Sequence, residues 1–88
     1  MAVVWVPALM RDLTGGQARV SARGSTVGEV VAGLEEAYPG FRARLCSGGE
    51  LPPTLSVVVD GRVGRLGLRE SVVEGSEIHF VPAVAGGA

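Results

Sequence analysis

Lysine is missing from this 88-residue chain, whose eight basic residues are all arginine. No side-chain amine is therefore present on which self-linked polymers could be built, an absence that genomic base composition also produces. Cysteine occurs once, at Cys46, which excludes an internal disulfide and an all-cysteine iron–sulfur site. One unpaired thiol and the lack of a signal-peptide pattern point to a reducing, cytoplasmic setting. No apolar run approaches membrane-spanning length, so no membrane association is expected. A formal charge of −1 and a pI of about 5.7 leave no basic footprint for nucleic acid. His79 is the only histidine, and without partners it reads as a surface or interface residue rather than a metal ligand or general base.

Apolar residues are abundant, at 47% of the chain with a mean hydropathy of +0.35. A chain of this length makes one domain and buries about two-thirds of its unfolded surface. Neither an internal repeat nor a domain linker is evident.

Period-two patterning marks the strands. Ala2-Val3-Val4-Trp5-Val6 is a β-branched and aromatic run closed by Pro7. Ala8 to Leu13 reads as a connecting stretch, and Thr14-Gly15-Gly16 as turn chemistry. Gln17 to Ala22 then alternates polar and apolar, so the two runs form a hairpin. Leu55 to Val59 is a third strand, and Asp60-Gly61 is a hairpin turn signal that sends Arg62 to Leu68 back as a glycine-interrupted strand. After the turn Glu74-Gly75-Ser76, the last strand is Glu77 to Val81.

One helix stands out. Thr26 followed by Glu29 fits a capping box. Val27, Val30, Val31, Leu34 and Tyr38 share a face by i, i+3, i+4 spacing, and the helix stops before Pro39-Gly40. Phe41 to Cys46 forms at most a short second turn, and Ser47 to Pro53 is loop. A single main helix covers only one face of the sheet, so the expected architecture is α+β with the helix lying across it. Val4, Val6, Ala18, Val20, Leu55, Val57, Val59, Ile78 and Phe80 then face inward. By alternation Val3, Trp5, Val58, His79 and Val81 occupy the uncovered face. An open face with a tryptophan and three valines is a candidate partner-docking surface, the alternative being cover of Trp5 by loop residues.

The last eight residues, Val81-Pro82-Ala83-Val84-Ala85-Gly86-Gly87-Ala88, carry the chemistry. Gly86-Gly87 lacks Cβ atoms and fits a channel that would clash with any side chain. Pro82 has no N–H to donate and marks where the final strand leaves its sheet. From there, five residues to Gly87 reach roughly 17 Å when extended. The domain is therefore expected to span 1–82, with 83–88 a flexible tail in which Val84, Ala85 and Gly86 thread a partner's active site. Ordering five tail residues costs about 5–10 kcal/mol of backbone entropy. Docking of the folded body must offset this.

With its β-β-α-β-β-β order and near-terminal glycine pair, the chain resembles the ubiquitin-like sulfur carriers of the ThiS/MoaD family, and within it the CysO type that supplies sulfur for cysteine synthesis. The matching stretches are Val6-Pro7-Ala8-Leu9, Thr14-Gly15-Gly16-Gln17, Leu34-Glu35-Glu36-Ala37-Tyr38 and Pro82 to Gly87. They run from the first strand to the tail. This resemblance implies a β-grasp fold with a mixed sheet and a shuttle with no catalytic residue and no tightly bound cofactor of its own. An E1-like adenylyltransferase and sulfurtransferase would use ATP to adenylate the Gly87 carboxylate, and sulfur would displace AMP to leave a thiocarboxylate. A cysteine synthase-like enzyme would accept that sulfur. Ala88 departs from the family pattern, in which the active form ends at the second glycine. The expectation is that a JAMM-type zinc metalloprotease removes it after Gly87, the rivals being that Ala88 is tolerated or that it blocks activation. Other acceptors (a molybdopterin precursor, a thiazole, a secondary metabolite) fit the same chemistry. Outside it stand a protein modifier joined through Gly87 and an interaction module with an inert tail.

Overall fold

The computed structural model describes residues 1–83. Five strands form one mixed sheet: β1 (Ala2–Trp5), β2 (Arg19–Ala22), β3 (Leu55–Val59), β4 (Arg62–Gly64) and β5 (Glu77–Pro82), in spatial order β2-β1-β5-β3-β4. Three of the pairings are antiparallel, and the central β1–β5 pairing is parallel. A parallel pair requires a long crossover, and here the helices supply it. Helix α1 (Val27–Ala37) buries Val27, Val30, Val31 and Leu34 against one face of the sheet, and the short α2 (Phe41–Leu45) adds Phe41 and Leu45. The arrangement is a β-grasp.

Most of the expected inward set is buried: Val4, Val6, Val20, Val57, Val59, Ile78 and Phe80. Leu55 and Ala18 are only half-buried, Leu55 because it lies near the open end of β3. Ala2, Met10, Ala22 and Val72 also join the core: Ala2 and Ala22 continue the alternation of their strands though they were not in the expected set, whereas Met10 and Val72 lie outside any strand.

At the start of α1 the Thr26 hydroxyl accepts the Glu29 N–H (3.2 Å). Glu29 reaches back to the N–H of Ser25 (2.8 Å), one residue before the position a capping box uses. The residues around the cap also pair with the segment before β5. Thr26 bridges to Ser71, Val27 N–H donates to the Glu70 carbonyl, and Val72 N–H donates to that of Ser25.

β1 ends one residue early, at Trp5, and β5 runs one residue further, to Pro82; three other stretches differ more from the sequence reading. Ala8 to Leu13 is not a plain connection but the body of a 3₁₀ helix, Ala8–Thr14, started by the Met10 N–H to Pro7 carbonyl bond and stopped by Gly15 at φ 66°. It pushes Met10 and Thr14 inward, so the chain between β1 and β2 is part of the core. β2 begins at Arg19 rather than Gln17, whose side-chain amide instead closes the turn on the Thr14 carbonyl (3.1 Å). β4 ends at Gly64 instead of running to Leu68. The Glu70 side chain crosses there, so close that a Cβ on Gly64 would meet its Cγ at 2.7 Å. The Glu70 carboxylate accepts the Leu66 N–H (3.0 Å), and the chain turns into a second 3₁₀ helix, Gly67–Arg69.

The Asp60-Gly61 turn forms as expected, with φ of 50° and 84°. Asp60 also ties this turn to β5: its carboxylate accepts the Glu77 N–H (2.9 Å) and the hydroxyl of buried Ser76 (2.8 Å). These bonds fix where β5 enters the sheet, and hence where it leaves.

Candidate functional site: the uncovered sheet face and the tail exit

Strand register places the expected face residues in one patch. Trp5 lies opposite His79, His79 opposite Val58, Val58 opposite Val63, and on the other side Trp5 opposite Arg19. One row thus crosses all five strands. Val3 lies opposite Glu77 and Val81 opposite Ser56, extending the patch in both strand directions.

Trp5 anchors it. Its ring stacks on His79 with centroids 5.4 Å apart and planes 8° from parallel, the offset arrangement that aromatic quadrupoles favour. The Arg19 guanidinium sits 5.5 Å from the ring centroid, within cation–π range. The indole N–H donates to the Glu77 carboxylate (3.0 Å). Trp5 is thus half-buried, with three side chains of its own face against it. Val3, Val58, His79 and Val81 are likewise half-buried, whereas Val63 at the sheet edge is 66% exposed. The result is an aromatic and aliphatic surface whose largest ring is held by three side-chain contacts.

The second part of the site is the exit of β5. Pro82 still pairs with Leu55, and one further bond, from the Ala83 N–H to the Thr54 carbonyl (2.9 Å), carries the pairing just past the strand. Val84, Ala85, Gly86, Gly87 and Ala88, the residues expected to enter a partner and be processed, lie outside the described residues. What the fold determines is their point of departure. β5 is a central strand whose first half pairs with both β1 and β3, whose end pairs with β3 alone, and whose beginning is tethered by Asp60.

The remaining singled-out groups lie apart from this patch. Burial pushes the Cys46 thiol above its ordinary value, against the opposing effect of Arg42. That disfavours a thiolate nucleophile. Glu35 is not a free carboxylate: it accepts the N–H groups of Gly40 (3.0 Å) and Arg42 (2.8 Å), which hold it below the usual range. Among the described residues no group of three or more His, Cys, Asp or Glu side chains is placed to hold a metal ion. No helix there is long and apolar enough to cross a membrane. Alternation missed Arg19 and Glu77, which orient Trp5. Their signal was present as charged residues on the outward side of β2 and β5, but only the register brings them to the ring.

Fold and site together define a ubiquitin-like β-grasp domain that presents an open sheet face beside a central C-terminal strand. The ThiS family model matches residues 4–87, and the chain belongs to that family. It is 38% identical to the sulfur carrier protein CysO of Mycobacterium tuberculosis over 96% of both chains. A chain in the crystal structure of the Amycolatopsis orientalis BexX/CysO complex superposes with a TM-score of 0.87 at 35% identity, over 99% of this chain and 100% of that one. Small archaeal modifier protein 3 of Haloferax volcanii is 37% identical over 72% of this chain and 71% of its own.

Proposed function

We propose that this chain is a sulfur carrier, a protein cosubstrate rather than an enzyme, which works in cysteine biosynthesis. Its likeness over nearly the whole length to the sulfur carrier CysO, with the family match running through Gly87, is the observation that supports this most. In this reading the Gly87 carboxylate, exposed after removal of Ala88, is adenylated by an E1-like enzyme using ATP. A carboxylate is a poor electrophile, and the acyl adenylate supplies AMP as leaving group. Sulfur attacks the acyl carbon, the C–O bond to AMP breaks, and a thiocarboxylate remains on Gly87. That sulfur stays nucleophilic and tethered until a cysteine synthase-like enzyme takes it.

In this reading the tail and the sheet face divide the labour. The tail is small and apolar and provides few contacts, whereas the Trp5 face offers a preorganised surface on which an activating enzyme docks through Val3, Trp5, Val58, His79 and Val81. Val84, Ala85 and Gly86 serve as the thread into the active site, and a zinc-dependent JAMM-type protease trims Ala88.

Incubating the Gly87-ended protein with ATP, the E1-like enzyme of the same genome and a sulfur source is expected to give the mass change of one oxygen replaced by sulfur. An unchanged mass refutes the carrier role. A second reading, conjugation of Gly87 to target lysines, is favoured by the similarity to small archaeal modifier protein 3. It requires higher-mass conjugates in lysate. For processing, the full-length chain is expected to lose one alanine in native lysate, and a thiocarboxylated species that still contains Ala88 refutes that step.

A further inference from the structure

A groove at the tail exit is distinct from the Trp5 face. It encloses about 230 Å³ between the first 3₁₀ helix, α2 and the stretch before β3, and its lining includes Pro7, Leu9, Met10, Arg44, Leu45 and Leu55. Met10 and Leu45 make a buried floor (6% and 3% exposed), whereas Leu9 at the rim is 88% exposed. A single exposed leucine is ordinary on a protein surface. Two features set this one apart.

First, Leu9 is held in place. The Arg44 guanidinium donates to the Leu9 carbonyl (3.0 Å) and to the Asp12 carboxylate (2.6 Å), so one residue of α2 fixes the backbone turn that presents the side chain. The same ion pair neutralises the only charged side chain of the lining. Second, the groove and the exit share a residue. Thr54, whose carbonyl takes the Ala83 N–H, also lines the groove. Four residues lead from Ala83 to Gly87, a contour of at most about 14 Å. Any enzyme reacting at Gly87 must therefore bring its surface to within that distance of Ala83, whichever other face it grips.

We propose, resting on the carrier reading above, that this groove seats one aliphatic or aromatic side chain of the adenylating enzyme, projecting beside the mouth of the channel that receives the tail. An apolar lining with its one charge already paired disfavours a charged or amide group, which would lose its hydration without gaining a partner. Leu9 covers the inserted side chain from above, and the Met10–Leu45 floor contacts it from below.

ATP–pyrophosphate exchange by the E1-like enzyme of the same genome, measured against the concentration of the Gly87-ended carrier, tests this. Leu9→Ser is expected to raise KM for the carrier about tenfold with kcat unchanged, while Leu9→Met stays within about threefold of the parent. Because Leu9 is so exposed, Leu9→Ser should keep the parent's circular dichroism and unfolding temperature. A KM for Leu9→Ser within twofold of the parent, with exchange otherwise intact, overturns the groove proposal and leaves the carrier reading standing. Absence of exchange with the parent protein overturns both.

Discussion

Replacing Trp5 by alanine separates the role of the sheet face from that of the tail. In the free protein the substitution removes a stacked pair with His79, at about 0.5–1.5 kcal/mol, and a partly solvated cation–π contact with Arg19, at about 0.5–1 kcal/mol. Water replaces the indole N–H at the exposed Glu77 oxygen, so that bond adds little. The expected loss is about 2 kcal/mol, which lowers the unfolding temperature by about 8–16 °C for a domain of this size. Total stability at this length is about 4–13 kcal/mol, so the variant remains folded. The effect on a partner is of similar size but read differently. A central tryptophan on a docking face is worth about 2 kcal/mol or more, which corresponds to roughly 30-fold in affinity. Pyrophosphate exchange against carrier concentration, run well below the unfolding temperature of both proteins, should therefore show KM raised roughly 30-fold by Trp5→Ala and less by Trp5→Phe. A KM for Trp5→Ala within twofold of the parent would show that the face is not the grip, however much stability the variant lost.

Acid and two glycines provide the other tests. The carboxyls of Asp60 (held by the Glu77 N–H and the Ser76 hydroxyl), Glu35 (by the Gly40 and Arg42 N–H groups) and Asp12 (by Arg44) all lie below their ordinary values in the folded chain. Groups depressed by folding contribute stability that is present above the unfolded pKa and lost as pH falls through the folded one. The unfolding temperature should thus stay level from pH 7 to about 5 and drop below about pH 4. Asp60→Asn should start lower and fall less steeply, and an unaltered acid slope would remove Asp60 from this account. Gly24→Ala and Gly33→Ala should act in opposite directions. A Cβ on Gly24 meets the Val30 backbone nitrogen at 2.7 Å, so α1 must shift and about 1–3 kcal/mol is lost. A Cβ on Gly33 makes an ordinary 3.4 Å contact with Ala22, and removing a mid-helix glycine gains up to about 1 kcal/mol. Equal thermal shifts in the two variants would contradict the packing described for α1.

Much of the local structure was legible in the chain because it depends on neighbours a few residues apart. The valine-rich run Leu55–Val59 and the alternation of Glu77–Val81 gave strands, the spacing of Val27 to Leu34 gave a helix with one buried stripe, and Asp60-Gly61 gave its turn. The 3₁₀ helix at Ala8–Thr14 escaped because a short i→i+3 segment leaves no long period, and only its buried Met10 and Thr14 betray it. The end of β4 escaped because Glu70, six residues after Gly64, crosses the path.

By itself the sequence determined most of the inward-facing strand and helix residues, where the helix starts and stops, and that a glycine pair stands one residue from the end. Tertiary structure alone decided that β5 slots between β1 and β3, so that Trp5 meets His79 across 74 positions of chain. It also decided that Arg44 reaches back to Leu9 and Asp12 to raise a rim beside the tail exit. The physical reason is that periodicity records only which side of a segment avoids water. Which segments become neighbours is settled by burying those sides together, and the site on this protein is made of such neighbours.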